Sequence, residues 1–112
     1  MTEKDQRWVF HSDALPQSGG PGITRRVLAY CDGLMCVENT FEAGAVGSLH
    51  SHPHTQITYV VKGVFSFTID GETRTVRAGD TMLKTDSVVH GCVCQEAGVL
   101  LDIFTPMRAD FV

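Results

Sequence analysis

The sequence predicts a single all-β domain, a sandwich or barrel of short antiparallel strands. Three observations carry this. No stretch of ten or more residues keeps a helical period. The apolar runs are dominated by β-branched and aromatic residues. Turn residues recur about every 8–12 positions, the spacing of sandwiches and barrels.

The elements follow in order. Residues 1–22 are expected to form an N-terminal arm and loop, with "PQSGGPG" (Pro16 to Gly22) as the loop, and residues 23–112 the barrel domain. "ITRRVLAYC" ends at Asp32-Gly33, a hairpin signal, and "LMCVENTFE" follows before Gly44. "TQITYVVK" runs to Gly63 and "VFSFTI" to Asp70-Gly71. "ETRTVRA" reaches Gly79-Asp80, "TMLKT" leads to "VVHGCVCQ", and "GVLLDIFTP" comes last.

Composition narrows the function. A chain of 112 residues holds one modest core. The net charge is -4, and Lys and Arg cluster only at Arg25-Arg26, so a nucleic-acid partner is not expected. The N-terminus lacks an apolar leader and no run reaches membrane-spanning length, which predicts a cytoplasmic protein without a membrane partner. Cys31, Cys36, Cys92 and Cys94 show neither a C-x-x-C nor a secreted-scaffold spacing, so they are expected to be reduced, small buried side chains.

The stretch "GSLHSHPHTQITYVVKG" raises the chemical question. Strand alternation points His50 and His52 to one side, joined by Gln56 if the bend at Pro53 preserves the phase. Thr58 and Val60 share that side, with Ile57, Tyr59 and Val61 opposite. His90 opens a later strand and shares its face with Cys92 and Cys94. Neighbouring barrel strands would then gather His50, His52, Gln56 and His90 around one point. Imidazoles with one oxygen donor suit a divalent transition metal (Ni, Zn, Mn, Fe or Co), with positions left for a substrate. The competing reading is a solvated loop with adventitious metal affinity. His54, beside Pro53, is expected to point away.

A second signal lies in "GVLLDIFTPMRADF". Leu100, Asp102 and Phe104 share one strand face, and Val99, Leu101 and Ile103 the other, so Asp102 is expected inside. A buried carboxylate is costly unless hydrogen-bonded, which leaves a structural or a catalytic role. Arg108 is placed to curl over the barrel mouth, its fork suited to a substrate's carboxylate or to that of Asp102.

Gly44, His50, His52, Gln56 and Gly63 match the first cupin motif, G-x5-H-x-H-x3-E-x6-G, with glutamine for glutamate. Gly79 and His90 match the second, G-x5-P-x-G-x2-H-x3-N, whereas Thr85, Ser87 and Cys94 replace its proline, glycine and asparagine. The chain thus resembles a single-domain cupin, a small jelly-roll barrel holding a metal. From about Thr24 onward it is similar to the cupins of pectin and alginate breakdown that linearise unsaturated uronates. Thr55 departs from the glutamate frequent in that family.

This resemblance implies one divalent metal on His50, His52, Gln56 and His90. It also implies Asp102 and Arg108 as the functional pair, Phe104 lining the site, a 4,5-unsaturated monouronate as substrate and a homodimer. The apolar Trp8-Val9-Phe10 of the arm is suited to cross to a neighbour. The alternatives are a metal-dependent cupin dioxygenase and a non-catalytic sugar-binding cupin, because one scaffold hosts many functions.

Overall fold

The structure, a computed structural model, describes residues 2–112. Eight strands account for nearly all of its regular structure: β1 (Gln17–Gly20), β2 (Ile23–Cys31), β3 (Leu34–Phe41), β4 (Val46–His50), β5 (Thr55–Ile69), β6 (Glu72–Arg77), β7 (Thr81–Lys84) and β8 (His90–Thr105). Two single 3-10 turns, His11–Asp13 and Ala109–Phe111, flank them. All pairings are antiparallel, in the order β1-β2-β3-β8-β5-β6, with β4 also on β8 and β7 also on β5. No described helix is long and apolar enough to cross a membrane.

The two long strands organise everything else. β5 and β8 pair along their whole length, from Thr55↔Thr105 to Ile69↔His90. The first half of β5 carries β7 and its second half carries β6. Likewise β4 lies on the first half of β8 and β3 on its second half. The expectation that Gly63 and the stretch before Gly98 would end strands is therefore corrected. Both strands run on, with register shifts from Val60 to Phe65. The reason is a close approach of backbones. A Cβ on Gly63 would come 2.6 Å from Gly98 Cα, and one on Gly98 would come 2.2 Å from Lys62 O. Paired glycines inside strands mark a bulge and a bend, not a turn.

The loop assignment for Pro16 to Gly22 is corrected as well. Gln17 to Gly20 pair with Arg25 to Ile23 as an edge strand. A strand of small and glycine residues lacks the β-branched signature, since only backbone groups make its pairing. The Asp32-Gly33 and Asp70-Gly71 hairpins appear where the sequence puts them. Asp70 and Gly71 adopt φ 49° and 79°, which fits the twist of a tight hairpin.

Alternation decides what faces inward. Gln56, Thr58 and Val60 are buried while Ile57, Tyr59 and Val61 are exposed. On β8, Leu100, Asp102 and Phe104 are buried and their neighbours only partly so. The apolar interior forms two clusters. One contains Phe41, Val60, Phe65, Cys94 and Leu100, and the other Val27, Met35, Val37 and Phe104. Asp102 lies between Leu100 of the first and Phe104 of the second. All four cysteines are free thiols. Cys92 and Cys94 are buried as expected, but Cys36 is only half-buried and Cys31, which ends β2 beside the Asp32-Gly33 turn, is exposed.

The bend gives a direct test. Gly98→Ala should destabilise the domain by about 3 kcal/mol or more, because backbone atoms cannot move aside for the new methyl group. Gly33→Ala, with nothing within 4 Å, should stay within about 0.5 kcal/mol in the same denaturant titration.

Candidate metal centre and the buried acid

The three histidines meet at one end of the barrel. His50 closes β4 directly opposite His90 at the start of β8. His52 lies outside any strand, so alternation does not place it; the short link to β5 brings it in instead. Ring centroids of His50 and His90 are 4.4 Å apart, those of His52 and His90 4.9 Å, and those of His50 and His52 5.6 Å. One nitrogen of each lies within 4.8 Å of the others. His54 is not one of the three whose nitrogens converge; its ring lies 5.3 Å from that of His52, and its Nε2 stands 3.1 Å from the Met107 carbonyl oxygen.

Backbone carbonyls prepare these imidazoles for a metal. His50 Nδ1 donates to Ser48 O at 2.7 Å and His90 Nδ1 to Val88 O at 3.0 Å. Each bond fixes the tautomer and leaves the Nε2 lone pair free. His90 Nε2 is buried without a partner. Burial pushes His90 down to about 4 and, together with the charge of Arg108, lowers His52, so both stay neutral, the form that ligates. Gln56 Oε1 lies 3.0 Å from His52 Nε2. Two atoms bonded to one metal at about 2.1 Å stand about 3 Å apart, so this pair fits a shared ion as well as a hydrogen bond. His50, His52, His90 and Gln56 therefore suit a divalent transition metal.

Where the second motif's proline and glycine are missing, Asp86 and Ser87 take φ 57° and 56°. That loop still delivers the Val88 carbonyl to His90, so the departure costs backbone strain without losing the histidine.

Beyond the histidines lies Asp102, 6% exposed. Its Oδ1 accepts from Thr58 Oγ1 at 2.5 Å and Gln56 Nε2 at 2.8 Å, and its Oδ2 accepts from Asn39 Nδ2 at 2.7 Å. Three donors replace the water that burial removes. Gln56 thus faces two ways, with its oxygen toward His52 and its amide toward Asp102. A glutamate there would set a second carboxylate against Asp102, a repulsion that burial magnifies. This accounts for glutamine at the motif's glutamate position.

Lys84 completes the network, and nothing in the sequence reading singled it out. It is 1% exposed, pairs across the ladder with Gln56, donates to Thr58 Oγ1, and stands 4.9 Å over the Phe67 ring. Burial pulls it from 10.5 down to about 8, partly offset by the charge of Asp102. The signal was present: in "TMLK", Lys84 alternates onto the side of Met82, which is buried. Asn39 and Arg25 were missed because only the fold brings Asn39 to Asp102 and sets Arg25 over the Phe111 ring that Arg108 also covers.

A cavity of about 380 Å³ opens over this floor, lined by His50, Gln56, Asp102, Phe104, Arg25 and Arg108 among others. Its size is that of a small-molecule site. Arg108 does reach the mouth, but its fork engages Asp110 and not Asp102. Nε meets Oδ1 at 3.0 Å and a terminal nitrogen meets Oδ2 at 2.8 Å. Its guanidinium stands 5.2 Å over Phe104 and 4.3 Å over Phe111.

An antiparallel barrel with a histidine cluster at its open end is the architecture of a cupin. The match to the cupin domain family over residues 37–104 places this chain in that family. The chain is 41% identical to the pectin degradation protein KdgF of Dickeya dadantii (strain 3937), over 95% of this chain and 99% of that protein. Among solved structures, an RmlC-like cupin from Shewanella frigidimarina NCIMB 400 superposes with a TM-score of 0.94 at 36% identity, covering 99% of this chain and 100% of that one. KdgF from Halomonas sp. superposes with a TM-score of 0.90 at 35% identity, covering 96% and 99%.

Two outcomes follow. His90→Ala should reduce bound metal to below about a tenth of the wild-type stoichiometry by elemental analysis, whereas His54→Ala should leave it intact. Lys84 should also print a slope on stability. Its value in the folded chain lies below that in the unfolded chain, so the unfolded state holds the extra proton between about pH 8 and 10.5. Stability from this group therefore rises with pH across that window and is flat below it. Lys84→Met, which lacks the slope, should lose up to about 3 kcal/mol relative to wild type between those limits in chemical denaturation.

Proposed function

We propose that this protein opens the ring of 4,5-unsaturated monouronates from pectin- or alginate-type polysaccharide breakdown, giving the open-chain keto-uronate. The observation that carries the proposal is Asp102, a carboxylate held by three donors on the floor of a small-molecule cavity beside the histidine cluster. A charge so deep in a barrel is costly, and nothing in the packing of β8 demands an acid between Leu100 and Phe104. The likeness to the pectin degradation protein KdgF over almost the whole chain supports the same reading.

The reaction is an isomerisation. The C1 hydroxyl of the cyclic hemiacetal loses its proton and becomes the aldehyde as the bond from C1 to the ring oxygen breaks. The ring oxygen leaves as the enolate oxygen on C5. The proton delivered to C4 then converts the enolate to the ketone, so atoms and charge balance.

His50, His52, His90 and Gln56 would hold a divalent metal, which when bound would supply Lewis-acid stabilisation to oxygen that gains negative charge. Asp102 carries the proton between the C1 hydroxyl and C4, its oxygens aimed by Asn39, Gln56 and Thr58. Lys84, one hydroxyl away through Thr58, balances the charge on Asp102. Arg108 binds the uronate carboxylate and fixes the sugar's orientation. Phe104 gives the sugar an apolar wall and narrows the access of water. A cytoplasmic homodimer belongs to the same reading, and the exposure of Trp8 (73%) and Phe10 (63%) supports a second chain against the arm.

The test uses unsaturated galacturonate freshly released by a lyase and an unsaturated uronyl hydrolase. Loss of its enol-ether absorbance should be faster with the protein, slowed by a chelator, and accompanied by no oxygen uptake. Asp102→Asn should lower the rate by about 10²–10⁴-fold while metal content stays at the wild-type level. Turnover near wild type in that variant would remove Asp102 from proton transfer, and no acceleration by metal-loaded wild type would sink the reaction itself.

A further inference from the structure

The mouth of the cavity holds a second guanidinium that the proposed reaction leaves unused. Arg25, on β2, lines the same cavity as Arg108. Its guanidinium stands 3.8 Å over the Phe111 ring, the ring that Arg108 covers at 4.3 Å. The two cations are therefore stacked on one arene. Gln17 of the edge strand holds this arrangement from both ends, accepting from Arg25 Nε at 3.2 Å and donating to Phe111 O at 2.9 Å. Burial, and after it the like charge of Arg108, push the Arg25 guanidinium below its ordinary value, with the charge of Asp110 offsetting part of this.

The acids nearby neutralise this pair only in part. Asp102 already takes three donors deeper in the barrel. Asp110 pairs with Arg108 through both oxygens and reaches Arg25 only through its charge. Its side chain is 60% exposed against 14% for Arg108, so the carboxylate approaches from the solvent side. Arg25 spends Nε on Gln17 Oε1, and among the described residues no hydrogen-bond acceptor meets its terminal amino groups. Two stacked guanidiniums and one exposed carboxylate leave a net positive mouth, and a guanidinium fork fits a carboxylate in two parallel hydrogen bonds.

We infer that Arg25 and Arg108 are the two arms of a clamp for the carboxylate of a sugar acid, and that Asp110 is an internal carboxylate which holds Arg108 until that ligand displaces it. The inference rests on the proposed uronate reading and adds to it a second binding residue and an internal competitor. Phe111 sets the spacing of the arms, and Gln17 fixes Arg25 at the edge of the sheet. Arg25 and Asp110 are binding and competing groups; neither is given a part in the proton transfer.

Two readouts test it: steady-state kinetics on unsaturated galacturonate, and calorimetric binding of galacturonate, which carries the carboxylate but cannot react, against its methyl ester. Arg25→Gln should raise KM about tenfold and weaken galacturonate binding to match, with kcat within about twofold. Arg25→Lys should fall between the two, because it keeps the charge without the fork. Asp110→Asn should lower KM several-fold by removing the competitor, and its exposed position keeps the test open should Arg25→Gln not fold. None of the three variants should alter binding of the methyl ester.

Unchanged KM and galacturonate binding in Arg25→Gln, with turnover persisting, would overturn the clamp and leave the reaction standing. Galacturonate binding that Arg25→Gln weakens, in a wild type without turnover, would keep the clamp and overturn the reaction. Absence of both in wild type would overturn both. A rise in KM for Asp110→Asn would show that Asp110 positions Arg108, and the competitor role would fall.

Discussion

One buried carboxylate organises the middle of this barrel. Asp102 sits between two apolar clusters, where an unsolvated charge would oppose folding, and the chain meets that constraint with donors from three directions. Asn39 reaches it from β3, Gln56 and Thr58 from β5, and Lys84 joins through Thr58 from β7. Because β3 and β5 flank β8 on its two sides, the same hydrogen bonds that solvate Asp102 tie the centre of the sheet together. A polar network of this kind is stable only when every member is satisfied, so its residues act as a unit.

Gln56 joins this network to the histidines. Its amide nitrogen belongs to Asp102 and its oxygen to His52, so the orientation of one fixes the other. The histidines are held from behind by the carbonyls of Ser48 and Val88, which lie in or beside the segments that position His50 and His90. The ligand set and the acid are thus two ends of one hydrogen-bonded system, with the cavity above it. Charge is graded along that cavity, with imidazoles and a hydrogen-bonded acid at the floor and two guanidiniums on Phe111 at the mouth. An anionic sugar would meet positive charge first and the acid last.

The bend at Gly63 and Gly98 makes the geometry possible. Without it, two strands of fifteen and sixteen residues would run as one flat ribbon, and the half of β8 that starts with His90 would not close over the half that carries Asp102. The same crossing, where Lys62 O stands against Gly98, leaves no room for a side chain.

By itself the sequence determined the all-β class, the hairpins at Asp32-Gly33 and Asp70-Gly71, and the inward sides of β5 and β8. Those features are local: turn chemistry and a period of two are written in adjacent residues. The candidate ligands His50, His52, Gln56 and His90 were legible from motif spacing, and Asp102 from its place in an apolar alternation. The tertiary structure decided what depends on register between distant strands. Lys84 comes opposite Gln56, Asn39 reaches Asp102, and Arg25 joins Arg108 on Phe111 only once β1, β2, β3, β5, β7 and β8 are aligned. It also decided that Gly63 is a bend and not an end, and that Gln17 to Gly20 form an edge strand, because both rest on backbone contacts between segments far apart in sequence.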